Sequence, residues 1–172
     1  MHSAQVVHLR PLELADADVL ASWAFDPKFC AAAGWSVGLA HEEYQSFQAR
    51  LITHPPDDLV RFGALHQGEL IGYVVLQGQE PCRRELGFVI GDSRRWGQGL
   101  GRLAARAGMH HGFIDMGLDE IWAEALDANV ASVRILQGLG MPEVELGEQG
   151  IYLGRPTFWR RFTLNAGSYI GA

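Results

Sequence analysis

The residues best suited to chemistry fall in one run. Glu85-Leu86-Gly87-Phe88-Val89-Ile90 reads as a strand, and a short turn, Gly91-Asp92-Ser93-Arg94-Arg95, leads into Trp96-Gly97-Gln98-Gly99-Leu100-Gly101-Arg102-Leu103. Glycines at 97, 99 and 101 let successive backbone N–H groups turn into one concavity, and a helix opening there adds the partial positive charge of its N-terminus. That geometry binds a phosphate or diphosphate. Arg94, Arg95, Arg102 and Arg106 crowd the same spot, although a cation at a helix N-terminus is disfavoured by roughly 0.3–1 kcal/mol. An anionic ligand removes the conflict.

Three phosphate chemistries use such loops. A nucleoside-triphosphate loop needs Lys and then Ser or Thr after its last glycine; Arg102 and Leu103 stand there, which excludes it. Gly99-Leu100-Gly101-Arg102-Leu103-Ala104 fits the dinucleotide pattern literally. That pattern, however, follows its strand at once and has an acid ending the next strand about 20 residues on. Here residues 91–98 intervene, and Glu120 begins the next strand. Coenzyme A is the third option: its diphosphate needs the loop, and its amide-rich pantetheine arm needs the backbone of a strand end beside the loop.

At this point the chain resembles the GNAT superfamily of N-acetyltransferases. The signature Gln/Arg-x-x-Gly-x-Gly/Ala falls on Trp96-Gly97-Gln98-Gly99-Leu100-Gly101, with Trp96 departing from the usual first residue. Trp-Gly-x-Gly looks like the ribosomal-protein N-terminal acetyltransferase branch and its small-molecule relatives. Asn129-Val130-Ala131-Ser132 and Leu139-Gly140-Met141 are similar to that branch's Asn-x-x-Ser…Leu-Gly-Phe, and His8-Leu9-Arg10-Pro11-Leu12 looks like its first strand. The resemblance implies acetyl-CoA as co-substrate without a metal, held by Val89, Ile90, Arg94, Arg95, Trp96, Gly97, Gln98, Gly99, Leu100, Gly101, Arg102, Asn129 and Ser132. It also implies an amine acceptor, either a protein N-terminus or a small molecule.

Moving an acetyl group from a thioester to an amine requires a neutral nucleophile, a polarised carbonyl and a proton for the leaving thiolate. At pH 7 an α-amine with pKa about 7.7–8.0 is on the order of a tenth neutral, against well under a thousandth for lysine at about 10.4. A carboxylate, acting directly or through water, is the usual base. Glu85, in the strand beside the loop, is the leading candidate, and Glu124 is second. A backbone N–H near Val89 or Ile90 would polarise the carbonyl. Many GNAT members protonate the thiolate with a tyrosine in the helix after the asparagine; this chain has Leu136 there, so the role does not transfer. Ser132 could orient the thiolate or relay its proton, while both Ser132 and Asn129 also suit a helix start. Cys30 and Cys82 lie outside the motif strand and loop, so direct attack in a ternary complex is expected, without a covalent acetyl-enzyme. The alternative is a non-catalytic acyl-CoA-binding sensor module, which the missing tyrosine favours.

The elements that position these groups read as β-α-α-β-β-β-α-β-α-β-β. Strands are expected at Val6–Arg10, Leu59–Leu65, Leu70–Leu76, Arg84–Ile90, Ile121–Leu126 and Phe158–Leu164, and helices at Asp16–Trp23, Glu42–Ile52, Gly99–Asp115 and Val130–Leu139. His66-Gln67-Gly68-Glu69 reads as a hairpin turn. The expected fold is α/β, an α+β layered arrangement. The resemblance adds a mixed, mostly antiparallel central sheet flanked by helices. Residues 1–172 are expected to form a single acetyltransferase domain.

Trp23, Phe25, Phe29 and Trp35 surround the loop where the family builds its acceptor pocket, yet core packing is the commoner fate of such aromatics. His110 and His111 adjoin on a helix and so cannot share a metal. The segment Arg155–Arg161, with Trp159, suits a final strand or an oligomer surface, compatible with a homodimer. A net charge of −6 argues against nucleic acid as a partner. No apolar run spans a bilayer, no secretion signal is visible, and two cysteines without metal spacing suit a reducing compartment. A cytoplasmic location is expected.

Overall fold

The computed structural model describes residues 5–169 of the chain. Seven strands form one sheet in the order β1-β2-β3-β4-β5-β7-β6. They are β1 (Val7–Pro11), β2 (Leu59–His66), β3 (Glu69–Gln77), β4 (Arg83–Ile90), β5 (Glu120–Leu126), β6 (Glu143–Tyr152) and β7 (Arg155–Asn165). Every neighbouring pair is antiparallel except β4 and β5. The helices are α1 (Asp16–Ser22), α2 (Pro27–Ala33), α3 (His41–Thr53), α4 (Leu100–His110) and α5 (Val130–Gly138). The expected mixed, mostly antiparallel sheet flanked by helices is the fold observed.

Two hydrophobic clusters divide the helices between the faces of the sheet. Alternate side chains of β3 and β4, Val74, Leu76, Leu86 and Ile90, join Leu100, Ala104 and Met109 of α4 and Val133 and Leu136 of α5. On the opposite face Leu20, Trp23, Phe29 and Cys30 pack with Tyr73 and Val89. The helix α4 lies close because its sheet-facing positions are small. A Cβ on Gly108 would sit 2.4 Å from Val74 Cγ1 and 3.0 Å from Leu86 Cδ1.

The parallel pairing of β4 with β5 covers only Arg83–Glu85 against Glu120–Trp122. Beyond it β4 continues against β3 and β5 against β7. The sheet therefore opens into a gap between the C-terminal ends of β4 and β5.

Three features differ from the sequence expectation. The helix α2 was not expected; Asp26 caps it and Pro27 occupies its first turn, where proline's missing N–H costs nothing. The helix expected over Gly99–Asp115 ends its regular part at His110 and continues as a π turn, His111–Asp115. The closing strand is longer than Phe158–Leu164 and forms a hairpin with β6. No helix among the described residues is long and apolar enough to cross a membrane.

Candidate active site

Hydrogen-bond phase along β4 decides which backbone groups reach the gap. Gly91 N–H donates to Ile71 O (2.8 Å), in register with the β3–β4 ladder. Ladder bonds of an antiparallel pair alternate, so Glu85, Gly87 and Val89 direct their backbone groups at β3. Leu86, Phe88 and Ile90 direct theirs at β5. Cys82 O, in the same phase, accepts from Asp119 N on the β5 side (2.8 Å). Since β5 has parted from β4 beyond Glu85, the N–H groups of Phe88 and Ile90 face the gap without a strand partner. This corrects the expectation for Val89. Its N–H belongs to the ladder and its side chain packs in the aromatic cluster, whereas Phe88, which the sequence reading passed over, is aligned with Ile90.

The loop after β4 is built by local bonds. Asp92 caps the turn Ser93–Arg95 by accepting from Arg94 N (3.1 Å). Trp96 Nε1 donates to Ile90 O (3.0 Å), pinning the loop to the strand end; a tryptophan at the signature's first position thus serves as a clasp. Gly97 and Gly99 both have positive φ, 79° and 80°, and a Cβ on either would meet nothing within 4 Å. The concave side is open, as a diphosphate cradle requires, and Gly99 is also the N-cap of α4. Gly101 does something else: a Cβ there would lie 3.2 Å from Ile135 Cδ1, so it lets α4 approach α5. The Leu100 side chain is buried in the main core, leaving only its backbone for a ligand.

The arginines do not act as one cluster. Arg94 forks onto Asp92 (Nε–Oδ1 2.9 Å) and Arg95 onto Glu69 (Nη1–Oε2 3.2 Å). The Arg94 guanidinium holds the Asp92 carboxyl down to about 2. Gln98 and Arg102 stand exposed beside the cradle. Arg106 lines a cavity of about 720 Å³ with His8, His110 and Tyr169, on α4 away from the gap.

Glu85 lies half-buried on the face that carries α1–α3, opposite α4. Burial, and then the neighbouring Glu124 charge, push its carboxyl above the usual range, partly opposed by Arg161. Glu124 is itself engaged by Arg161 (Nε–Oε1 2.8 Å), whose guanidinium also reaches Glu145 (3.2 Å) and lies 4.8 Å from the Trp122 ring centre. Of the two carboxylates, Glu124 is held in an ion pair by Arg161 and Glu85 has no bonded cation. That asymmetry suits Glu85 to accept a proton.

Asn129 Oδ1 accepts from Ser132 N (3.3 Å), so both residues build the start of α5. Ser132 is the only hydroxyl on that helix. Leu136, at the tyrosine position, is 1% exposed in the core. Trp23 and Phe29 are buried, Trp35 packs edge-on to Phe29, and Phe25 is exposed and stacked on His41. His110 and His111 turn to separate partners, Tyr169 and Asp115. Among the described residues no group of three His, Cys, Asp or Glu is arranged to hold a metal ion.

Asp26 was missed. One oxygen accepts from Lys28 N (3.0 Å) and Phe29 N (3.3 Å), and the other from Ser93 N (2.7 Å). The Ser93 side-chain hydroxyl first, and then the backbone N–H groups of Ser93, Phe29 and Lys28, hold the Asp26 carboxyl below the usual range against the opposing effect of burial. An Asp-Pro pair is a readable cap signal, but its second bond spans the fold.

The acetyltransferase (GNAT) domain family matches residues 7–142. The FsC-acetyl coenzyme A-N(2)-transacetylase of Aspergillus fumigatus is 31% identical over 88 residues, which are 46% of this chain and 37% of that protein. The match therefore spans little more than a third of that relative's length. A GNAT-family acetyltransferase from Bacillus anthracis superposes with a TM-score of 0.79 at 19% identity, over 96% of this chain and 98% of the other. Spermidine N-acetyltransferase from Vibrio cholerae, in complex with CoA and spermine, gives 0.81 at 18% identity, over 95% and 97%. At such identities the likeness to solved structures is one of fold. Glycine loop, parted strands and family match coincide on the same residues: the chain belongs to the acetyltransferase (GNAT) domain family.

Proposed function

We propose that the chain is an acetyl-CoA-dependent N-acetyltransferase in which a primary amine attacks the thioester directly. The observation that carries this is the half-buried Glu85 carboxylate, without a bonded cation, on the strand whose Phe88 and Ile90 N–H groups face the gap. Acetyl-CoA supplies an activated acyl group there. The chain's own groups do the rest. Gly97 and Gly99 cradle the diphosphate, with Arg94, Arg95, Trp96, Gln98, Leu100, Gly101 and Arg102 forming or bordering the loop. Asn129 borders the pantetheine slot. The Ile90 N–H stabilises the developing oxyanion, Glu85 takes the amine's proton directly or through water, and Ser132 orients the departing thiolate or relays to it a proton drawn from water, which re-protonates the hydroxyl.

The acceptor is an amine of the small-molecule or protein N-terminal kind. Trp96-Gly97-Gln98-Gly99 and the Asn129–Ser132 pattern support kinship with the ribosomal-protein N-terminal branch. The Vibrio cholerae protein named above is a spermidine N-acetyltransferase. We place the reaction in one domain spanning residues 1–172 and in the cytoplasm, a compartment suited to the free thiols of Cys30 and Cys82. A homodimer is proposed through the β6–β7 hairpin, where Val144, Leu146 and Ile151 are more than half exposed; a Vibrio cholerae spermidine N-acetyltransferase is dodecameric.

The test is calorimetric titration of acetyl-CoA, NAD and ATP into wild type and Gly99→Asp, followed by an amine panel scored for thiol release. Selective acetyl-CoA binding, lost in the variant, with turnover on an amine supports the proposal. Binding with no turnover on any amine favours the sensor alternative. Preference for NAD refutes both.

A further inference from the structure

Arg61 is a part-buried cation that this reading leaves unused. It lies on β2 opposite Val75 of β3, which lies opposite Gly87 of β4, so the three share one row on the face that carries Glu85. The guanidinium stacks on the Tyr73 ring (Cζ to centroid 4.1 Å), and Nη1 donates to Oε1 of the buried Gln48 on α3 (2.8 Å). No acid is among the groups that act on it, and burial pushes its pKa down. This differs from Arg83, Arg94, Arg95, Arg160 and Arg161, each of which meets a carboxylate. A guanidinium has five N–H donors in a planar fork; Gln48 takes one and the Tyr73 ring covers a face, leaving in-plane donors for a ligand.

From the residues that flank the gap we infer that Arg61 binds a carboxylate carried by the acceptor amine. This rests on the acetyltransferase reading of the cleft. The charge pattern of the face is that of a zwitterion's receptor: Glu85 and Glu124 stand at the gap where the amine must react, and Arg61 stands toward β2. Neighbouring strands lie about 4.8 Å apart, and stacking on Tyr73 of β3 brings the guanidinium one strand nearer the gap than its own backbone. Tyr73 pairs with Val89, level with the Ile90 N–H that holds the thioester carbonyl in this reading, while Glu85 lies further back along β4 and acts through water. At that level the interval from amine to carboxylate is about one to two strand spacings, roughly 5–10 Å. An α-amino acid is too short for that, whereas an extended dipeptide reaches about 7 Å. The substrate class is an amine with a carboxylate at dipeptide reach.

The experiment compares glycylglycine, its C-terminal amide and spermidine as acceptors for wild type, Arg61→Met and Arg61→Lys, with thermal unfolding run on each variant. Wild type should use the acid over the amide by roughly 10- to 100-fold in kcat/KM, mostly through KM, as befits loss of a charge-assisted hydrogen bond. Arg61→Met should abolish that ratio while leaving the amide's rate unchanged, and Arg61→Lys should keep part of it. Equal use of acid and amide by wild type, or a preference for spermidine, overturns the inference. So does a uniform loss on all acceptors in Arg61→Met, which would mark Arg61 as a packing residue. If no acceptor is acetylated, the inference fails, and acetyl-CoA calorimetry on the same protein separates the cases. Retained binding leaves the coenzyme reading standing, and absent binding removes it too.

Discussion

Replacing Glu85 by glutamine tests the chemistry with the least disturbance. Glutamine keeps the shape and removes the charge. The contributions acting on Glu85 are burial, the Glu124 charge and the Arg161 charge, with no hydrogen bond among them, so the substitution breaks no bond that holds the fold. A positioned general base is worth about 10²–10⁴ in rate, or roughly 2.7–5.4 kcal/mol at 1.36 kcal/mol per decade. Turnover in Glu85→Gln should fall by that factor while acetyl-CoA affinity stays near wild type. The pH dependence gives the sharper result. Wild-type kcat/KM should lose activity on an acid limb centred above the ordinary glutamate value near 4.5, because burial raises the Glu85 carboxyl; Asp92, held to about 2, titrates too low to produce it. Glu124→Gln removes the like charge and leaves Arg161 beside Glu85, so the limb should move to lower pH.

Stability moves the other way from activity. A carboxyl whose folded pKa is raised binds its proton more readily in the native state, so this group favours folding less as pH rises through that pKa. Glu85→Gln should therefore unfold at a slightly higher temperature than wild type at neutral pH. The assay is thiol release from acetyl-CoA across pH, with parallel thermal scans. Turnover within about tenfold of wild type at every pH, or an acid limb unchanged in both variants, would refute the role given to Glu85.

Gly108→Val should destabilise the fold by about 1–3 kcal/mol through overpacking, since even a Cβ meets Val74 at 2.4 Å; denaturant unfolding measures this. Asp26→Ala should cost about 0.5–2 kcal/mol for the lost cap and should also weaken acetyl-CoA binding, which titration calorimetry reads. Leu146→Lys together with Ile151→Lys should shift the protein toward monomer in sedimentation while leaving its thermal midpoint near wild type, because both side chains are more than 60% exposed.

The loop was legible in the sequence because glycine and its neighbours carry local information: positive φ at 97 and 99 and a helix start need no distant partner. The run Arg84–Ile90 likewise read as the strand beside it. What stayed hidden is set at long range. Whether Val89 or Phe88 presents its N–H to the gap depends on a ladder phase fixed by Ile71, and the parting of β4 from β5 depends on where β7 pairs. The strand β6 is nearly all exposed, so it has no buried face to leave a pattern. At seven residues, α2 is too short to show one. Glu85 was ranked ahead of Glu124 from its place beside the loop; what the sequence hid is that Arg161, 37 positions along the chain from Glu124, pairs with Glu124.

The two oxygens of Asp26 have a thermodynamic consequence. One holds the start of α2, whose Phe29 and Cys30 pack with Tyr73 and Val89 on the sheet face proposed to receive the amine, and the other holds Ser93, in the turn that leads to the proposed diphosphate cradle. Any shift of that turn on coenzyme binding must pull on the helix, or release it. The affinities of the two substrates are then linked, and linkage is reciprocal: whatever factor the coenzyme applies to the amine's dissociation constant, the amine applies to the coenzyme's. Without Asp26 the two sites should bind as strangers.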